Sequence, residues 1–331
     1  MFIYFFTFII IAILILTNAI TDAPNAIATL VGTRVLKFKN AAYLSAIFNL
    51  IGIIAMCFIN ISVADCISSI VKIQSDLRDI IILLGGMIAV IIFALIAMKF
   101  GIPTSETHGL VAGLTGSAIA MYGISGVSFD EWKNVIIGLG WSILGTLVIS
   151  YLIYICLIKK VRKIKENRIK KVQILTCMGM SFMHGAQDGQ KFLGVLIIFL
   201  SIMKGINIPN TINPTENIWS ILFVAILLAL GVSVGGKTIV DNIGNDMVKM
   251  NNKQGLMTDI VTIVTLFTAS ILGLPVSTTH VKTISIVGIG KLSKLKIERK
   301  NILDIIKAWI YTFPVCALIG FVLTKFLIII L

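Results

Sequence analysis

Two hexapeptides decide how this chain is read: Pro103-Thr104-Ser105-Glu106-Thr107-His108 and Pro275-Val276-Ser277-Thr278-Thr279-His280. Both have the form P-x-S-x-T-H, and both run into small, glycine-bearing apolar sequence. Each trails a second polar cluster. Asn18-Ala19-Ile20-Thr21-Asp22-Ala23-Pro24-Asn25 precedes the first, and His184-Gly185-Ala186-Gln187-Asp188-Gly189-Gln190-Lys191 precedes the second. The chain's three histidines, His108, His184 and His280, all fall in these four stretches. A polar pattern that occurs twice in a lipid-like chain points to a functional site drawn from both copies.

The surrounding composition sets the solvent. The 331 residues are 57% hydrophobic and 13% charged, with mean hydropathy +1.02, whereas soluble domains carry about 25% charged residues. Several apolar runs reach the roughly 20 residues that cross a bilayer as helix. The expectation is an all-α polytopic protein of the cell membrane, with no separate soluble domain. Met1-Phe2-Ile3-Tyr4 lacks a basic leader, so the first run reads as a retained helix. The net charge of +13 is assigned to membrane orientation rather than to nucleic acid, because the basic residues cluster between apolar runs. Cys57, Cys66, Cys156, Cys177 and Cys316 form no C-x-x-C pair and read as packing residues.

Taken in order, spans are expected over 2–20, 41–60, 80–99, 103–122 and 135–158. A discontinuous or re-entrant piece is expected within 21–39, broken by Pro24 and Gly32, and a mixed loop over 62–79. Lys159 to Lys171 carries its basic residues against the single acid Glu166 and reads as a cytoplasmic linker. Beyond it the plan repeats, with spans over 172–203, 218–234, 260–274, 275–290 and 302–331 and a polar loop over 237–259. Residues 1–158 and 172–331 thus form two transmembrane repeats joined by the linker 159–171. If five segments cross before a cytoplasmic linker, the second repeat enters with opposite polarity. That is an inverted-topology pair with discontinuous helices around a midplane site.

The polar clusters have a chemical reading. Asp22 and Asp188 lie at apparent membrane depth, where an acid is a functional hypothesis by default. Asp22, Asn25 and Thr29 share one helix face, as do His184, Asp188 and Lys191. The P-x-S-x-T-H stretches suit helix starts, with proline in the first turn and N–H and hydroxyl donors at the positive end of the dipole, where anions bind. Ser105, Thr107, Ser277 and Thr279 would then surround one site, with Thr278 standing where the first copy has Glu106. The aspartates can accept hydrogen bonds from a protonated oxyanion or hold a hard cation such as sodium. Zinc is disfavoured because the histidines lack paired spacing. His108 and His280 read as packed, hydrogen-bonded residues that fix the motif, and Glu106 as a proton-coupling acid or a water-facing helix-terminus charge.

At these residues the chain resembles the PiT family of inorganic phosphate transporters. The family's N-D-A-A-N-A-x-A-T stands here as Thr21-Asp22-Ala23-Pro24-Asn25-Ala26-Ile27-Ala28-Thr29, and its H-G-A-N-D-x-Q-K as His184 to Lys191. Both P-x-S-x-T-H stretches also match, so the resemblance covers both halves. It implies a secondary transporter, not an enzyme, importing inorganic phosphate with sodium or protons, without other cofactor, as a homodimer in membrane lipid. Its substrate contacts would carry over to Asp22, Asn25, Ser105, Thr107, Asp188, Gln190, Ser277 and Thr279, with Thr278 beside them. Asp22, Asn25 and Asp188 would be candidates for sodium. Thr21, Gln187, Pro24 and Glu106 depart from the family pattern. A sulfate permease is the nearest alternative. An intramembrane lipid-phosphate phosphatase is a more distant one, since it needs clustered arginines and Arg34, Arg78, Arg162, Arg168 and Arg299 are expected in loops. A channel is the third.

Overall fold

The computed structural model describes residues 2–22, 24–74, 76–100, 104–235, 250–297 and 299–330. Pro103 and the 237–249 part of the expected polar loop lie outside the described residues. The elements are α1 (Phe2–Asp22), α2 (Pro24–Gly32), α3 (Phe38–Ile59), α4 (Ser62–Ser68), α5 (Leu77–Lys99), α6 (Glu106–Tyr122), α7 (Phe129–Gly140), α8 (Thr146–Lys163), α9 (Glu166–Lys204), α10 (Ile218–Val234), α11 (Asn252–Ile271), α12 (Thr278–Leu292) and α13 (Arg299–Ile330). Among the described residues the only β-pairing is an isolated bridge between Val71 and Val127. Among the described residues, eight helical stretches are long and apolar enough to span a membrane, five of them before Ile164.

The distribution of side chains matches a lipid solvent. On α8, Leu147, Val148, Tyr151, Leu152 and Ile155 face outward, while Asp22, His184, Asp188, Lys191, Asp259 and Lys282 are buried. Backbone groups in hydrocarbon must be satisfied within their own segment, which is why these spans are helices.

The long helix α9 is the axis. Its 39 residues extend about 58 Å at 1.5 Å per residue and pack against α3, α4, α10 and α11. A Cβ on Gly52 would strike the Phe182 carbonyl, and one on Gly185 would strike the Asn49 carbonyl, so α3 and α9 meet backbone to backbone. Across the molecule α5, α6 and α13 form a second such seam: Gly113 faces Gly86, and Gly116 faces the Ala317 carbonyl. Gly205, at φ +64°, closes α9 in the left-handed conformation.

Several expected boundaries shift. The 159–171 stretch is not a loop: α8 runs to Lys163 and α9 starts at Glu166, leaving only Ile164 and Lys165 between them. Lysine and arginine are good helix formers, and no glycine or proline stands there to stop either helix. The 62–79 loop contains α4 and the start of α5, where Asp76 and Asp79 form a capping box. In the same way Asn251 and Gln254 cap α11, so Asp259 lies inside a helix rather than in a loop. Thr258, Thr262 and Thr265 continue the buried polar face of α11. Arg78, Arg162 and Arg168 sit in helix end turns rather than loops. The 135–158 span belongs to a longer stretch, 129–163, in which Trp141–Gly145 forms a π-helical turn and the Trp141 indole donates to the Thr265 carbonyl at 3.2 Å.

Candidate functional site

Both P-x-S-x-T-H stretches are helix starts. Ser105 is the N-cap of α6 and Ser277 the N-cap of α12; their hydroxyl oxygens accept from the amides of His108 at 3.3 Å and His280 at 3.2 Å. Pro275 therefore stands two residues before the N-cap, not in the first turn as expected. The serine oxygens serve as caps, which are preferred serine positions. The first-turn amides of each helix still lack intrahelical acceptors.

Asp22, at the end of α1, is the hub of one half of the site. Thr278 donates to its Oδ2 at 2.9 Å, and Thr279 and Asn25 donate to its Oδ1 through very short hydrogen bonds. The Asn25 amide also reaches the Thr279 hydroxyl at 2.9 Å. One carboxylate thus ties α1, α2 and the start of α12 together.

Asp188 on α9 is the hub of the other half. Its Oδ1 lies 2.7 Å from Lys191 Nζ and its Oδ2 3.1 Å from His184 Nε2, with all three side chains buried. Lys191 also donates at 2.7 Å to the Thr107 hydroxyl and at 2.7 Å to the Val276 carbonyl. Its three ammonium protons are therefore matched by three acceptors from α9, α6 and the stretch before α12. His184 Nδ1 lies 2.6 Å from Asn49 Oδ1.

The two hubs meet. Thr278 reaches Asp188 Oδ2 at 3.5 Å as well as Asp22, and one donor atom each of Asp22, His184 and Asp188 lie within 4.8 Å of one another. Oxygen-rich surroundings of this kind suit a hard cation. Glu106, on the first turn of α6, is buried rather than water-facing; it accepts a very short bond from the Thr21 hydroxyl, and its Oε2 has no partner among the described residues. Neither Asp22 nor Glu106 has a salt-bridge partner among the described residues.

Of the residues singled out in the sequence, Asp22, Asn25, Thr107, Asp188, Thr278 and Thr279 come together here. Gln190 is turned away and donates to the Asn60 carbonyl at 2.7 Å. His108 and His280 are packed but not hydrogen-bonded. Their rings lie 4.6 Å apart between Phe313 and Trp309, and no ring nitrogen has a partner among the described residues. Thr29 leaves the Asp22 face for a second cluster with Asp259 and Lys282. The sequence pattern hides that cluster, because the polar residues leading up to Asp259 read as a loop. Lys282 is a lysine inside an apolar helix, and this alone marks it as a functional candidate.

Buried acids, a caged lysine and paired helix starts inside a bundle of membrane spans define a multi-pass membrane transporter. The sequence model of the phosphate transporter family matches residues 18–171 and 158–320, and the chain belongs to that family. It is a protein of the cell membrane, and its family is one of transporters, not of enzymes. A protein named "Probable low-affinity inorganic phosphate transporter" from Bacillus subtilis (strain 168) is 30% identical over 309 residues, covering 92% of this chain and 90% of the relative. One from Rhizobium meliloti (strain 1021) is 29% identical over 315 residues, covering 92% and 90%. A solved structure described as the sodium-dependent phosphate transporter superposes over 100% of both chains with a TM-score of 0.84 at 22% identity; the likeness extends to the whole fold.

Proposed function

We propose that the chain imports inorganic phosphate by cation symport, at a site formed by Asp22, Asn25, Thr107, Asp188, Lys191, Thr278 and Thr279. The observation that carries this reading is the meeting of the α6 and α12 starts with Asp22 and the Asp188–Lys191 pair. Helix starts attract anions, and Asp22 and Asp188 accept the protons that phosphate carries and sulfate lacks. Charge balance supplies the coupling. Lys191 offsets Asp188, but Asp22 has no cationic partner within salt-bridge distance among the described residues. An entering anion must bring positive charge with it or face a net negative pocket at low dielectric.

Sodium is the cation proposed, held by oxygens of Asp22, Asn25 and Asp188. A proton on Glu106 is the second reading, favoured by its buried, half-partnered carboxyl. The proposal includes two inverted repeats, 1–158 and 172–331, facing each other across the site, with 159–171 on the cytoplasmic side by the positive-inside rule. It also includes a homodimer in lipid, as the family resemblance implies.

The test is uptake of labelled phosphate into proteoliposomes under separate sodium and proton gradients, with excess sulfate as competitor. Sodium-driven uptake that ignores sulfate supports the reading. Proton-driven uptake moves the coupling to Glu106. Sulfate uptake without phosphate uptake overturns the substrate.

A further inference from the structure

One helical turn beyond the substrate cluster lies a second buried ion pair. Lys282 Nζ is 2.6 Å from Asp259 Oδ1 and 3.2 Å from the Thr29 hydroxyl, and Thr29 itself donates to Asp259 Oδ1 at 2.6 Å. Thr176 donates to Asp259 Oδ2 at 3.2 Å. Both ionic side chains are fully buried.

The position follows from the helix repeat. Thr29 is four residues after Asn25 on α2, and Lys282 is three after Thr279 on α12, so each stands on the same face as its substrate-site neighbour, displaced along the axis. Both helices begin at the substrate cluster and lead toward basic segments: α2 toward Arg34 and Lys37, α12 toward Lys291 and Lys294. The other two contributors, α9 and α11, start at that same basic face, where Lys253 donates to the Arg162 carbonyl at 2.8 Å and Asn252 bonds Glu166. The pair therefore lies between the substrate cluster and the basic face, and it ties together the four helices α2, α9, α11 and α12.

A buried ion pair is poor at adding stability but well suited to being exchanged. Separating it in a dry interior is unfavourable unless each charge meets a replacement. An oxyanion and a cation leaving the substrate cluster together supply both. We propose that Lys282 and Asp259 form an exit station, in which Lys282 takes up the departing inorganic oxyanion and Asp259 the departing monovalent cation. Without cargo the two charges satisfy each other and seal the path. This assignment rests on the proposed symport and on the basic face being cytoplasmic.

Cys177 gives a built-in reporter. It is fully buried, one residue after Thr176, with its thiol 3.7 Å from the Ala26 carbonyl. The experiment uses the full chain carrying Cys57→Ala, Cys66→Ala, Cys156→Ala and Cys316→Ala, with Cys177→Ala as the blank. Variants are Asp259→Asn, Lys282→Gln and the two combined. Three quantities are read: equilibrium binding of labelled phosphate in detergent, uptake in proteoliposomes, and labelling of Cys177 by a small charged methanethiosulfonate.

The station predicts phosphate binding within about threefold of the parent and uptake reduced at least tenfold in all three variants. Cys177 labelling should accelerate at least tenfold in the single variants. The combined variant restores a neutral hydrogen-bonded pair, so a purely structural role would restore uptake. Normal uptake in the combined variant overturns the proposal, as does unchanged Cys177 labelling in Asp259→Asn. If the parent itself neither binds nor carries phosphate, the symport reading and the cargo role fail together, while Cys177 labelling still reads the seal.

Discussion

Replacing Asp22 by asparagine tests the site most directly, because the change keeps the shape and removes the charge. The carboxylate accepts from Thr278, Thr279 and Asn25. In Asp22→Asn one acceptor oxygen becomes an NH2 group, so the Thr278 hydroxyl loses its 2.9 Å acceptor and keeps only Asp188 at 3.5 Å. A hydrogen bond to a charged group contributes about 1.5–3 kcal/mol, and each ~1.4 kcal/mol is tenfold in an equilibrium constant. If Asp22 holds the coupling cation or a phosphate proton, the loss falls on binding of that ion. The apparent KM for it should then rise about 10- to 140-fold. The assay is gradient-driven phosphate uptake in proteoliposomes, normalised to monodisperse protein recovered after reconstitution, with the coupling cation titrated. A variant that folds, recovers normally and transports with an unchanged KM for both ions would refute the reasoning. Asp22 would then be only a tie between α1, α2 and α12.

Further outcomes follow from the same geometry. Lys191→Met leaves the Asp188 carboxylate and the Val276 carbonyl without their 2.7 Å partner, and removing one member of a buried pair costs about 3–5 kcal/mol. Denaturant titration in detergent should show it, and adding Asp188→Asn should recover much of the stability but none of the uptake. Ser277→Ala removes the α12 cap at a cost of about 1 kcal/mol; unfolding should register it, with only a modest rise in the phosphate KM because the serine oxygen is occupied by the His280 amide. Asp65, on α4, has its carboxyl pushed above the usual 3.8 by burial, against the opposing bond from the Ile212 amide. A raised acid loses stability as pH climbs from 3.8 through its folded value. Asp65→Asn, which keeps an acceptor for Ile212, should therefore match or exceed the parent in melting experiments at neutral pH. The gap should close in acid.

The membrane class and most of the spans were legible because apolar runs of spanning length have few other uses. The polar clusters were legible because polar residues at that depth are costly. The paired hubs at Asp22 and Asp188 follow from the same logic. The direction of individual side chains was not legible. Gln190 shares a motif with Asp188 yet faces Asn60, because helix positions two apart diverge by roughly 200°. Asp259 is not legible as a buried acid because Asn251, Asn252, Lys253 and Gln254 read as a polar loop, whereas two of them form the capping box that starts α11. The Asn49–His184 bond joins residues 135 apart in sequence, and no local pattern announces such a contact.

The glycine seams bear on how the molecule can move. Where α3 lies on α9 with no side chain between, at Gly52 and Gly185, the two helices have no room to slide. The same holds where α6 is wedged between α5 and α13 at Gly86, Gly113 and Gly116. Each of these stiff pieces takes helices from both halves of the sequence, so the mechanical division of the molecule cuts across the order of the chain. Lys191 rides on one piece and Thr107 on the other, and their 2.7 Å bond is a stitch across the joint. Any rocking of one piece against the other is felt first at the atoms that would hold the substrate.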